Sequence, residues 1–336
     1  MRNRLDTAVA LLGPALLVVL VGIGATFVSR SNEIHFLNAL ASVAIVVAIY
    51  VFVGTSGVLS FGQVSFVALG AFAAGVMTVP FDSKAGVLPD LFPILRDHTI
   101  GNVASLALAA AVGGAFAFVV GLPLMRLSGL AAGIATFAVL EITHNLLREW
   151  TKIGPGATTL SLVPETTGPL QATIGALLVI VAAFAYQRSP LGRKVRATRE
   201  DPAAAQAVGI SVHLQRLWAF TLSGALCGFA GGLLVHMLGS ITTEQAYLEL
   251  TFLTLAMLVV GGVTSLWGAV VGALAVSGLD TLLGNAEDGI GVGFTLDLPE
   301  GSRLVILGGL MALMLILRPS GITGGRELRL SRRRAA

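Results

Sequence analysis

Charge is scarce in this sequence. Of its 336 residues only 12% are Asp, Glu, Lys or Arg, where an ordinary soluble domain carries about 25%. With 55% hydrophobic residues and a mean hydropathy of +0.88, that shortage excludes a soluble globular enzyme, a disordered chain and a nucleic-acid-binding module. Cysteine is nearly absent as well. The single Cys227 lies in an apolar run, so no intrachain disulfide and no thiolate zinc site can form. The chain has no Walker A pattern, no His-Glu-x-x-His and no Gly-x-Ser-x-Gly, which removes the phosphate-loop, metalloprotease and serine-hydrolase signatures. The net charge is only +3, so the placement of the charges says more than their sum.

What is present is a series of long apolar runs. About 20 apolar residues cross the hydrocarbon core as a helix. The sequence predicts an all-α, polytopic transmembrane helix bundle of about ten segments (range 8–10), at 7–28, 36–53, 58–79, 100–122, 129–147, 170–187, 217–239, 248–264, 265–284 and 302–318. Several are rich in glycine and alanine, which allows half-helices or re-entrant segments. The run from Ala8 to Val28 is longer than a signal-peptide core and no small-x-small site follows it, so it is read as an uncleaved first span.

Alternating these spans from a cytoplasmic N-terminus gathers 15 of the 21 basic residues on the inner side with four acids, and six basic residues with twelve acids outside. The expectation is N-in/C-in, +11 inside and −6 outside, as the positive-inside rule requires. Arg148 and Lys152 are the main exceptions. Residues 1–324 form one transmembrane domain by this reading, with 188–216 a cytoplasmic segment of it, and 325–336 a basic cytoplasmic tail.

Small residues let membrane helices approach closely. Gly57, Gly62, Gly70, Gly262, Gly268 and Gly272 are read first as packing positions, with Gly268-x-x-x-Gly272 a helix-crossing face. Polar groups inside spans need partners away from water. Ser60, Gln63, Ser65 and Thr136 either line a polar passage or bond neighbouring helices. Glu141, His144, Asn145 and Arg148 are spaced to share one helical face. Glu141 is expected to pair with His144 or Arg148, either on a transport path or in a polar network near the outer vestibule. Asp280, near the outer end of its span, is given no role.

The most informative stretch is the basic segment 188–216. Asp201 is a good N-cap, Pro202 suits the first helical position, Ala203, Ala204 and Ala205 favour helix, and Gly209 supplies a left-handed stop. The expected product is a helix of about two turns, roughly 10 Å long. Helices this short are marginal alone in water, so it packs against its own bundle, docks in a partner's groove, or lies as a helical turn in a solvated loop.

That segment resembles the cytoplasmic Glu-Ala-Ala-x-x-x-Gly signature of bacterial ABC importer permeases. Ala203, Ala204, Ala205 and Gly209 stand at the matching positions, and Ala203 replaces the glutamate. The longer string from Ser189-Pro-Leu-Gly-Arg193 through Ala197-Thr-Arg-Glu-Asp-Pro-Ala-Ala-Ala-Gln-Ala-Val-Gly-Ile210 looks like LivM-type permeases of the branched-chain amino acid uptake family. Gly57–Ala71, Gly129–Ala138, Val260–Ala273 and Arg318–Ile322 are similar to further motifs of that family, in its order. The resemblance covers about 36–324.

The resemblance implies a non-catalytic permease subunit in a bacterial inner (plasma) membrane, with no cofactor on this chain, since ATP and Mg belong to partner subunits. It implies two ATP-binding subunits, a homologous second permease, a periplasmic or extracellular substrate-binding protein and surrounding lipid, with no nucleic acid and no metal. Coupling would run through Arg199, Asp201, Pro202, Ala204, Ala205 and Gly209, and Ser60, Gln63, Ser65, Thr136, Glu141 and His144 are candidates for the translocation path. Branched-chain or other hydrophobic amino acids are the implied cargo. Urea or short amides, a proton-coupled transporter with a Glu141–His144 relay, and an intramembrane enzyme built on Ser60 remain as alternatives.

Overall fold

The computed structural model describes residues 2–28, 30–287, 299, 301–318 and 320–327. The described residues fold as helices, with a single isolated bridge between Leu160 and Ile241 and no strand. Among the described residues, seven helices are long and apolar enough to cross a membrane: α1 (Arg2–Phe27), α2 (Arg30–Ser56), α6 (Asn102–Leu124), α7 (Gly129–Glu149), α8 (Pro169–Arg188), α11 (Val212–Leu238) and α13 (Leu266–Glu287). Three shorter apolar helices, α3 (Gln63–Thr78), α12 (Leu248–Gly261) and α14 (Ser302–Leu317), complete the bundle. The small helices α4 (Phe81–Val87), α5 (Pro93–Arg96), α9 (Pro190–Glu200) and α10 (Pro202–Ala207) lie in the connections.

Two expected spans are shortened. The segment 58–79 becomes helical only at Gln63, and 248–264 stops at Gly261. Gly57 has φ +71 and closes α2 with its N–H on Val53 O at 3.0 Å, a left-handed glycine stop. Gly262 has φ +121. Each break leaves irregular backbone at one end of a helix pair, tolerated at membrane depth only where protein or a cavity covers it.

The centre is α2 with α11. Residues 43–53 of α2 are buried on every side, which suits a run of Val, Ile, Ala and Phe broken only by Tyr50, whose hydroxyl donates to Gln187 Oε1 at 2.9 Å. Helix α11 crosses α6 and α3 through Gly224, Gly228 and Gly231. A Cβ at Gly228 would stand 2.3 Å from Ala109 O, and one at Gly70 of α3 would stand 2.2 Å from Gly228 O. Backbones this close leave no room for a side chain. Phe52, Phe66 and Phe220 interlock edge-to-face at the same level, with ring centroids 5.0 and 5.2 Å apart.

Helices α12 and α13 pack as an antiparallel pair on α2, with α14 against both. At the far end from α9 and α10, α4 and α5 form a hairpin held from inside by Lys84. Its ammonium is buried and donates to Leu95 O and His98 O, both at 2.7 Å. Burial pulls the Lys84 pKa below its ordinary value. The acids Asp288, Asp297 and Glu300, and the basic tail beyond Glu327, lie outside the described residues.

Candidate functional site

The segment 188–216 folds as two short helices. The sequence reading anticipated α10 but not α9, although Ser189 before Pro190 was a legible start. Ser189 Oγ accepts from Gly192 N at 3.1 Å, and α9 buries Gly192, Val195 and Thr198 against the bundle. A Cβ at Gly192 would come within 2.1 Å of Tyr186 O, so α9 sits hard against the end of α8. Asp201 Oδ1 then accepts from Ala203 N at 2.9 Å and Ala204 N at 3.0 Å, capping α10. Gly209 has φ +80 and ends it. Ala205 faces inward, while Ala203, Ala204, Ala207 and Val208 present a small apolar surface outward.

This segment grips the first helix break. Arg199 lays its methylenes across Gly57, where a Cβ would come 2.9 Å from Cγ, and donates from Nη1 to Gly54 O at 2.7 Å. A cleft of about 710 Å³ opens beside it. Arg199 and Pro202 line one wall, Leu59 and Phe61 of the break another, and Leu130 and Gly133 of α7 a third. Arg199 thus ties α9 to the backbone at Gly54 and Gly57.

Beyond the break the candidate polar residues divide into two groups. In the first, Ser60, Gln63 and Ser65 are buried. Gln63 Oε1 lies 3.1 Å from Ser223 Oγ, which also reaches Ala48 O at 2.7 Å. Gln63 Nε2, Ser60 Oγ and Ser65 Oγ have no hydrogen-bond partner among the described residues. Thr136 joins this group from α7, its Oγ1 accepting from Phe61 N at 3.2 Å. A Cβ at Gly62 would come 2.5 Å from Thr136 O.

The second group lies farther along α7 and corrects the expected pairing. Glu141 pairs with neither His144 nor Arg148. It accepts hydrogen bonds from the Tyr247 hydroxyl and from Asn145 Nδ2, while His144 and Arg148 face Glu244, at 3.5 and 3.7 Å. The His144 ring stacks on Tyr247 with centroids 3.9 Å apart. The sequence reading missed Tyr247 and Glu244 because they come from the 240–247 turn, about 100 residues away. The bond to Glu141 pushes the Tyr247 pKa up to about 12.

The second break is tied down by the chain after α14. A Cβ at Gly268 would stand 2.6 Å from Gly262 O, and one at Gly272 would stand 2.0 Å from Met257 O, so these two glycines face α12 closely. Ile322 N donates to Val260 O at 2.8 Å, Thr323 Oγ1 donates to Gly261 O at 2.7 Å, and Glu327 accepts from the N–H groups of Leu266 and Trp267 at 2.8 and 3.3 Å. At the opposite end, Asp280 makes a two-point ion pair with Arg303, at 2.6 and 3.1 Å. It lines a cavity of about 460 Å³ with His35, Asn38, Gln245 and Glu249. Asp280, given no role from the sequence, is thus the ion-pair partner of Arg303.

A sequence profile of the branched-chain amino acid transport system permease component family matches residues 33–315. The high-affinity branched-chain amino acid transport system permease protein LivM of Salmonella typhimurium is 29% identical over 81% of this chain and 65% of its own length. This chain therefore spans somewhat less than two thirds of that relative. A probable LivM of Methanocaldococcus jannaschii is 25% identical over 80% of this chain and 86% of its own length. The autoinducer 2 import system permease protein LsrC of an Enterobacter strain is 26% identical over 74% and 78%. No solved structure matches.

Proposed function

Because the chain belongs to the family of branched-chain amino acid transport system permease components, we propose that it is the membrane-spanning subunit of an ABC-type importer for branched-chain or other hydrophobic amino acids. The observation that carries this reading is the seating of α9 and α10 on the break at 57–62. A two-turn helix with a small, apolar, outward surface is suited to a groove on a partner. Its neighbour α9 is bonded through Arg199 to the backbone at the cleft. ATP-driven movement of a partner at α10 would then reach the passage by one rigid step.

The reading entails two ATP-binding subunits at the basic end, a homologous second permease beside this one, and a substrate-binding protein at the acidic end. It places the chain in a bacterial inner membrane with both termini inside and ten crossings, the three short apolar helices included. The chain itself carries out no covalent step. Separate partners for Glu141 and His144 give no support to a relay between them.

The test is uptake of radiolabelled leucine by the assembled complex. Ala204 is exposed and touches no core, so Ala204→Glu leaves the bundle folded. It is expected to cut both ATPase co-purification and ATP-dependent uptake at least about tenfold, or ~1.4 kcal/mol of association. Undiminished co-purification and uptake would overturn the coupling role.

A further inference from the structure

One stripe of α7 runs from the cleft to the second polar group. Leu130 and Gly133 line the cleft. Phe137 follows one turn on, then Glu141, His144 and Arg148 at steps of four, three and four, the spacing of a single helical face. The stripe changes character midway, from small and apolar, through one aromatic ring, to charged. The change coincides with an aromatic junction. Phe61 of the break meets Phe137 edge-to-face at 6.5 Å and Phe252 of α12 at 6.4 Å.

These three rings belong to three elements, and they are unlike the interlocked aromatics of the core. Phe137 is 39% exposed and Phe252 50%, whereas Phe52, Phe66 and Phe220 are fully buried. On the far side of the junction stand two carboxylates, Glu141 and Glu244, and two nitrogen groups, His144 and Arg148, around Tyr247. On the near side the cleft reaches Phe61 itself. Phe61 is also fixed to α7 through its own N–H on Thr136 Oγ1, and it lies four residues beyond Gly57, where Arg199 of α9 holds the chain. The ring can therefore move with the coupling segment.

We propose that Phe61, Phe137 and Phe252 form the constriction of the transport path and read the apolar side chain of the cargo, while Glu141 and Glu244 take its ammonium and Arg148 its carboxylate. This rests on the importer reading for the source of motion. The chemistry fits a zwitterion with an apolar side chain. Paired charges of both signs stand beside an aromatic surface, and aromatic faces bury apolar groups without demanding hydrogen bonds. Tyr247 and His144 are positioning residues that hold Glu141 and Glu244 at the mouth. A short amide such as urea has neither the ammonium nor the apolar group, and would leave both halves of the arrangement unused.

The experiment uses single-cysteine probes in the full complex, in right-side-out and inverted native vesicles, with a membrane-impermeant maleimide. Cys227 is buried and gives no background. Leu59→Cys in the cleft is expected to react from one face only, and Asn145→Cys, beside Glu141, from the opposite face only. Adding Phe137→Ala or Phe252→Ala should open Leu59→Cys to both faces, and should shift the preference for leucine over alanine by about tenfold. Phe137 and Phe252 are the partly exposed members, so they keep the test sound if Phe61→Ala does not assemble. Unchanged sidedness together with unchanged preference in both alanine variants would overturn the constriction. Sidedness that opens as expected, in a complex whose uptake ignores ATP, would support the constriction and remove the importer reading instead.

Discussion

Asp280 and Arg303 illustrate what a single residue does against its neighbours. Their side chains are 20% and 32% exposed, between the surface case, where an ion pair contributes little, and the buried case, where losing one partner is severe. Asp280→Asn removes the charge opposite Arg303 and leaves, among the described residues, the longer ion-pair contact to Glu249 at 3.8 Å. It is expected to lower stability by about 1–3 kcal/mol, seen as a fall in the melting temperature of the purified complex. The double variant Asp280→Asn/Arg303→Gln should recover most of that loss, because the charge then left without a partner, Glu249, is 58% exposed. Equal melting temperatures for the single and double variants would show that the pair does not act as a unit. The sequence contained Asp280 as a lone acid near a span end. Its partner is 23 residues away, at the start of the next helix, α14, and periodicity carries no signal for such a pairing. The same holds for Glu141, whose true partner Tyr247 stands on another element. The cap at Asp201 was legible for the opposite reason, since donor, acceptor and stop all lie within nine residues.

At the scale of elements, local signals foretold helices well and breaks less well. Pro202, three alanines and Gly209 spelled out α10. The shortening of two spans was not readable from hydropathy, which stays high through Val58, Leu59 and Phe61 while the backbone leaves the helix. The strap 320–327 was visible only as a motif. In the fold it closes the α12–α13 break, and Glu327 is its anchor. Burial pushes the Glu327 carboxyl above the ordinary 4.5, opposed by the N–H groups of Leu266 and Trp267 and by the charges of Arg196 and Arg188. A carboxyl with a raised pKa binds its proton more tightly folded than unfolded. Its contribution to stability is thus complete below 4.5 and is lost as pH climbs from there through the folded value. Lowering the pH from neutral toward the carboxylate range should raise the wild-type melting temperature more than that of Glu327→Gln, which keeps an acceptor for one N–H and has no charge to lose. Identical pH slopes for the two proteins would remove Glu327 as the titrating anchor.

For the whole molecule, the distribution of charge and the architecture describe the same axis. One end of the bundle carries α9, α10, the strap and the arginines at 188, 193, 196, 199 and 216. The other carries the Lys84-pinned hairpin with Asp82, Asp90 and Asp97, and the Asp280–Arg303 cavity. A basic end held inside is the arrangement that membrane insertion favours. The interior between them keeps few charges, because each would cost at least about 2.5–3.5 kcal/mol unless paired or watered. This axis fixes a direct prediction for sidedness. In intact cells, with the outer membrane permeabilised where one is present, Asp82→Cys and Asp97→Cys should react with an impermeant maleimide. Ala204→Cys should react only after the plasma membrane is opened. All three side chains are exposed, so a failure to label reports sidedness and not burial. The reverse pattern would turn the molecule over in the membrane, and would set α10 on the side where no ATPase could reach it.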